Sequence, residues 1–244
     1  MGETSDIAVN TFRNLIRNML AMMTKQRPRY KASAANTDAK SQSQAILANQ
    51  LLNYYTSEKG LENTYKAAVE SALLYGEGWV ELEWDAEQGE VYDQHAKTGA
   101  AIREGDVRFE SHEPYRVCRD IGKRKNTDHN WLILTSFVNK FELAAEFKKY
   151  EEEILASDDR ESYESEEPNY PARATENEME SDQCVIYKMY HRPTKALPNG
   201  RLVHCLADGT VLLDSPLPYR NIPVHCISAS DYKDTLFGLS LIHI

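Results

Sequence analysis

Between Tyr65 and Trp84 the chain reads Tyr-Lys-Ala-Ala-Val-Glu-Ser-Ala-Leu-Leu-Tyr-Gly-Glu-Gly-Trp-Val-Glu-Leu-Glu-Trp, and its apolar spacing switches from helical to extended in the middle. Tyr65, Ala68, Val69, Ala72 and Leu73 fall on one face of a helix. Past Gly76 and Gly78, Val80, Leu82 and Trp84 alternate with Trp79, Glu81 and Glu83, the pattern of a half-buried strand. Gly76 can adopt the left-handed conformation that ends a helix, and Gly78 lets the chain turn back closely against it. One short segment therefore docks a helix on a sheet, and any fold open to this chain must combine the two. The junction by itself names no function.

Upstream, Thr4, Ser5 and Asp6 are N-cap types ahead of an apolar stripe at Val9, Phe12, Leu15, Ile16, Met19, Leu20 and Met23, which predicts a helix from Asp6 to Thr24. Pro28 stops it and biases Arg27 to Ala32 toward an extended form. Ile46, Leu47, Leu51, Leu52 and Tyr55 mark the face of a second helix, Asp38 to Thr56, and Gly60 separates it from a third, Leu61 to Tyr75. Downstream, Asp85 to Glu90 reads as a turn, followed by short strands at Val91 to Gln94, Ala100 to Glu104 and Val107 to Ser111. Pro114 breaks the pattern and Trp131 to Val138 is a strand. Asn139 with Glu142 forms a capping-box-like pair, predicting a helix to Leu155. Strands at Gln183 to His191, Arg201 to Ala207, Thr210 to Leu213 and Ile222 to Ser228, punctuated by Asn199-Gly200 and Asp208-Gly209, read as a small antiparallel meander. No internal repeat is present.

Charge is unevenly placed. Glu151 to Asp182 holds 13 acidic and 2 basic residues, a net −11, so the rest of the chain is left at about +1 of the total −10. Ser157 to Asp182 has almost no aliphatic residue and is expected to be a flexible linker or mobile loop. No acidic residue lies between Asp6 and Asp38, where Arg13, Arg17, Lys25, Arg27, Arg29 and Lys31 fall. That first helix suits an acidic surface or nucleic acid, or a core edge along which its Lys and Arg stems lie. The 244 residues contain no apolar run long enough for a membrane helix and no signal pattern at the start, which suggests an intracellular product or part of an intracellular assembly. Cys118, Cys184, Cys205 and Cys226 are far apart and form no CxxC pair, so reduced core thiols are expected.

Catalytic patterns are largely missing. Gly76-Glu77-Gly78 follows a helix and precedes a strand, the reverse of the order that presents a helix N-terminus to phosphate. No G-x-S-x-G elbow and no H-E-x-x-H helix occurs. His204-Cys205 and His225-Cys226 look metal-like, but neighbours on a strand point to opposite faces, so each pair offers one side chain to a shared site. Glu81 and Glu83 share a strand face and could form an acid/base pair, yet no local His or Arg partners them; they are expected at the surface. Trp79 and Trp84 are expected to pack rather than to stack on bases. No catalytic, cofactor-binding or metal residue is assigned.

Order and spacing carry more than any one residue. The basic helix running into Lys25-Gln26-Arg27-Pro28-Arg29-Tyr30 resembles the start of the portal proteins of tailed bacteriophages, in particular the family with short-tailed phage members. Tyr65 to Trp84 looks like that family's A-L-x-x-G-x-G-x-x-x-V-x-W segment, and Val107-Arg108-Phe109 to Asp120 like its V-x-P-x-x-V-x-x-D segment. Trp131 to Tyr150 follows as a similar strand and helix. Tyr187 to Pro193, Gly200-Arg201, Leu212 to Tyr219 and Ile222-Pro223-Val224 resemble its wing strands, and Phe237-Gly238-Leu239-Ser240 its F-G-x-S stretch. The acidic stretch is a long departure from the pattern, and Pro114 is displaced within its segment.

The resemblance implies an α+β fold in which N-terminal helices pack on a mixed, mainly antiparallel β-rich wing, without the stem, clip and crown of a complete portal. The expected division is 1–155 for the helices and first wing sheet, 156–182 for the acidic loop, 183–239 for the meander that completes the wing, and 240–244 as an end of doubtful origin. The implied function is a structural, non-enzymatic ring subunit at one capsid vertex, without cofactors. Its implied partners are further copies in a dodecamer, the terminase motor, capsid and scaffolding proteins, a tail adaptor, and DNA passing non-specifically. The implied location is the virion, after assembly in the host bacterial cytoplasm, with no membrane. In that frame Gly76 and Gly78 serve packing. Two other readings compete: a metal-dependent nucleic-acid-processing enzyme with Glu81, Glu83 and Asp85 as ligands, and a plain adaptor domain.

Overall fold

A computed structural model describes residues 11–25, 30–86, 88–95, 99, 101–123, 128–157, 182–229 and 238–240. Thr4 to Asp6, Val9, Gln26 to Arg29, the acidic stretch 158–181, Phe237 and 241–244 lie outside the described residues, and with them the expectations for those positions. The elements in chain order are α1 (Thr11–Lys25), α2 (Ala39–Ser57), α3 (Leu61–Tyr75), β1 (Glu77–Asp85), β2 (Val91–Gln94), β3 (Ala101–Arg103), β4 (Asp106–His112), β5 (Val117–Arg119) and β6 (Trp131–Asn139). α4 (Lys140–Glu146), α5 (Glu151–Ala156), β7 (Gln183–His191), β8 (Arg201–Leu206), β9 (Val211–Ser215) and β10 (Val224–Ser228) follow. The fold is α+β, as the helix-rich opening and β-rich remainder lead one to expect, and all ladders among the described strands are antiparallel. No described helix is long and apolar enough to cross a membrane.

Two compact units divide the chain: Met1–Pro114 with Pro223–Ile244, and Tyr115–Ile222. In the first, the sheet order is β10-β1-β4, with a separate β2-β3 ribbon. Gly76 ends α3 at φ 95° and returns its N–H to the Ala72 carbonyl at 2.8 Å. A Cβ on Gly78 would fall 1.9 Å from the Ala68 carbonyl oxygen, so α3 lies on the backbone of β1 as closely as only glycine permits. Leu20 of α1 joins Val69 and Leu73 of α3 in the core, flanked by Met19, Tyr65 and Ile227.

Several expected faces differ here. β1 is buried along its first half whichever way the side chains point: Trp79 is 1% exposed and Val80 7%. Trp84, expected to share the buried face, is 52% exposed and lies across Gly105, whose added Cβ would meet the indole ring at 2.5 Å. The central position of β1 and the close approach of α3 override the simple alternation. α1 buries only Ile16 and Leu20, and α2 buries no residue; Leu52 and Tyr55 are half-buried while Ile46, Leu47 and Leu51 face outward.

α2 is tied down at its C-terminal end by Asp106 of β4, which accepts from the Tyr54 hydroxyl at 2.9 Å and pairs with Lys59 at 2.5 Å. Partial burial opposes the charge on Asp106, but the Lys59 bond, the Val107 amide and Tyr54 together hold its pKa below the ordinary value. A depressed carboxylate pKa adds stability that is present above the unfolded-state value of about 4 and is lost as pH falls through the lower folded value. Asp106→Asn is therefore expected to lower stability at neutral pH and to weaken the loss of stability on acidification below about pH 4, as read from urea unfolding at pH 3 to 7. An acid limb of unchanged slope in the variant would count against this role.

The second unit is one sheet in the order β5-β6-β7-β8-β9. β6 and β7 pair from Trp131 with His191 to Asn139 with Gln183, so adjacent strands bracket α4, α5 and the acidic stretch. Leu143, Ala144 and Ile154 from the helices pack with Cys184, Ile186, Leu206 and Leu212 from the strands. Asn139 caps α4 as its sequence indicates, its Oδ1 accepting from the amides of Phe141 at 2.9 Å and Glu142 at 3.4 Å. The continuous helix expected to reach Leu155 is instead broken at Phe147, at φ −109° and ψ 61°, with a 3-10 turn at Lys148–Tyr150 before α5. The break lets Phe147 and Tyr150 reach the same core as Leu143 and Ile154. β5 has no signal in its three residues and was not expected; Pro114 opens a 3-10 turn just before it. The strand expected to finish the meander, Ile222 to Ser228, does not join this sheet: β10 pairs with β1, from Glu77 with Ser228 to Glu81 with Val224.

Candidate functional site

β1 and β4 place Trp79 opposite His112, Glu81 opposite Glu110 and Glu83 opposite Arg108. Alternate residues on paired strands share a face, so Glu81, Glu83, Arg108, Glu110 and His112 form one polar patch on this sheet. At its inner end the His112 Nε2 lies 2.9 Å from Glu81 Oε2, with the two side chains 3% and 1% exposed. Toward the edge, Arg108 Nη2 donates to Glu83 at 3.1 Å and to Glu110 at 3.3 Å. Partial desolvation opposes the Arg108 charge, but the carboxylates of Glu83, Glu110, Glu81 and Asp85 outweigh it and raise its pKa. Asp85 accepts from the Gln88 amide at 3.1 Å.

Glu81 is thus not a surface carboxylate. Its partners, and those of Glu83, are 25 to 31 residues away on β4, which is why no neighbour in sequence could reveal them. The trio Glu81, Glu83 and Asp85 does not converge. The donor atoms that do come within 4.8 Å of one another are those of Glu81, Glu110 and His112. A His with two carboxylates is a donor set for a borderline or hard divalent ion. In this chain Glu110 already accepts from the Arg108 guanidinium, and Glu81 already contacts His112 Nε2. A cleft of about 240 Å³ beside His112, lined also by Ser71, Tyr75 and Glu113, is smaller than typical small-molecule sites.

The other sequence candidates separate. His204 and Cys205 lie on β8 and His225 and Cys226 on β10, strands of different sheets. All four cysteines are free; Cys184 is buried, Cys118 is exposed, and burial, with the charge of Asp208 second, raises the pKa of Cys205. Gly76-Glu77-Gly78 is a packing junction, as expected: a Cβ on Gly76 would fall 2.2 Å from the Gly238 carbonyl oxygen, and the Glu77 carboxylate accepts from the Gly238 amide at 3.2 Å.

The site thus consists of a glycine junction built for packing and a strand pair whose carboxylates meet Arg108 and His112. No curated protein matches the chain. The family described as phage P22-like portal protein matches residues 5–235, nearly the whole length and both units. The resemblance to portal proteins of the short-tailed phages is thereby borne out, and the chain belongs to the phage P22-like portal protein family.

Proposed function

We propose that the chain is the wing-bearing subunit of a portal ring, a head-to-tail connector at one capsid vertex through which DNA is packaged and later leaves. Family membership over residues 5–235 is the observation that carries this reading. The family is structural and not enzymatic, its place is the phage head, and it implies a ring oligomer with capsid and terminase partners in general. The finer reading is a dodecamer that docks the terminase motor on one side and a tail adaptor on the other. Scaffolding proteins serve during assembly in the bacterial cytoplasm, and DNA passes without sequence-specific contact.

The polar patch on β1 and β4 fits this reading as a strand-pairing device. Arg108 stands between Glu83 and Glu110, where a catalytic metal would need the same oxygens. Negative-stain electron microscopy of the purified chain, with sedimentation over a range of concentrations, tests the assignment. Closed rings with a central channel are expected, and a monomer persisting at high concentration would speak against it.

A further inference from the structure

We infer that the subunit contact of the ring is made by α1 of one copy against α2 of the next, through two apolar stripes that this chain leaves exposed. The inference rests on the ring reading above. α2 is 19 residues long and carries a single charged residue, Lys40, in a chain with 27% charged residues. It meets its own unit along Leu52 and Tyr55, while Ile46, Leu47 and Leu51 on the adjoining face are 60%, 58% and 46% exposed. α1 shows the same division: Ile16 and Leu20 are buried, whereas Phe12, Leu15, Met22 and Met23 are 37%, 50%, 67% and 44% exposed along a neighbouring stripe.

Size and symmetry name the occupant. With roughly 200 Å² of surface on each of these seven side chains, about half of it exposed, the two stripes present on the order of 700 Å² of apolar area. A stable protein contact buries about 1,600 Å², somewhat over half of it apolar, so the stripes supply most of the apolar part of one such contact. Charge-poor centres with aromatic residues and methionine are also the composition of interface cores. A ring needs a heterologous contact, in which one patch meets a different patch on the next copy; a patch that pairs with itself closes at a dimer. Two dissimilar apolar helix faces on one unit meet that requirement.

The test uses Leu15→Glu with Met22→Glu as an α1 variant and Leu47→Glu with Leu51→Glu as an α2 variant, compared by analytical ultracentrifugation. The wild-type chain is expected to assemble beyond a dimer. Each variant alone should be monomeric, with the dissociation constant raised by on the order of 100-fold. Mixed in equal amounts, the two should form a one-to-one dimer and nothing larger, because each brings the intact stripe the other lacks. Circular dichroism melts check that both fold. Should either fail, Leu15→Cys and Leu47→Cys placed in differently tagged copies should form a disulfide between copies. Wild-type assembly unchanged in both variants, or an α1 variant that still dimerises, or a mixture that stays monomeric, overturns the inference and leaves the ring standing. A wild-type chain that never assembles overturns both.

Discussion

Gly78→Ala is expected to cost the first unit about 3 kcal/mol or more, seen as a fall of roughly 10 °C in the melting midpoint. The added Cβ would sit 1.9 Å from the Ala68 carbonyl oxygen, on a backbone atom that cannot swing aside. α3 would have to retreat from β1 by more than an ångström, and Val69 and Leu73, which hold Leu20, would retreat with it. Gly209→Ala is the control: φ there is +92°, yet nothing lies within 4 Å of the new Cβ. That change carries only the left-handed backbone penalty, about 1 to 2 kcal/mol. Equal losses in the two variants would mean that close helix-to-strand packing is not what Gly78 provides.

The second large effect belongs to the buried pair. Removing one partner, as in Glu81→Ala or His112→Ala, takes from the other a 2.9 Å bond made in a buried site, a loss of about 1 to 3 kcal/mol. The double change to Glu81→Leu and His112→Leu is expected to be milder than the sum, because both ends of the 2.9 Å contact are then replaced together. Urea unfolding of the wild type, two single variants and double variant gives the coupling, expected to be on the order of 1 to 3 kcal/mol. Additive losses would show that the 2.9 Å contact is incidental to stability.

What could be read from the sequence was local. α3, β2 and β7 begin and end where their periodicity and flanking residues indicate, and the Asn139 cap and the glycine junction are as the residues imply. These features depend on neighbours a few positions away. Burial of Glu81 depends on a histidine 31 residues downstream, and the face of Trp84 on a glycine in the β3-β4 connection. The break at Phe147 follows from the core it must reach, a tertiary demand that overrides helix propensity. β10 is legible as a strand but its pairing with β1 is not, since alternation specifies a strand and says nothing of its partner. The candidate patch is therefore half legible: Glu81 and Glu83 stand out in the sequence, and the β4 residues that meet them do not.

The pairing of β10 with β1 also sets a timetable for synthesis. Residues 115–222 form a compact unit and emerge from the ribosome ahead of Val224, so most of that unit can begin folding before β10 is available. Through that interval β1 has β4 on one side and an open hydrogen-bonding edge on the other. The earliest part of the chain to be translated is thus the last to be closed, and it spends the longest time exposed to wrong pairing between nascent copies. A translational pause or a chaperone would matter most for this chain in the stretch just before Pro223.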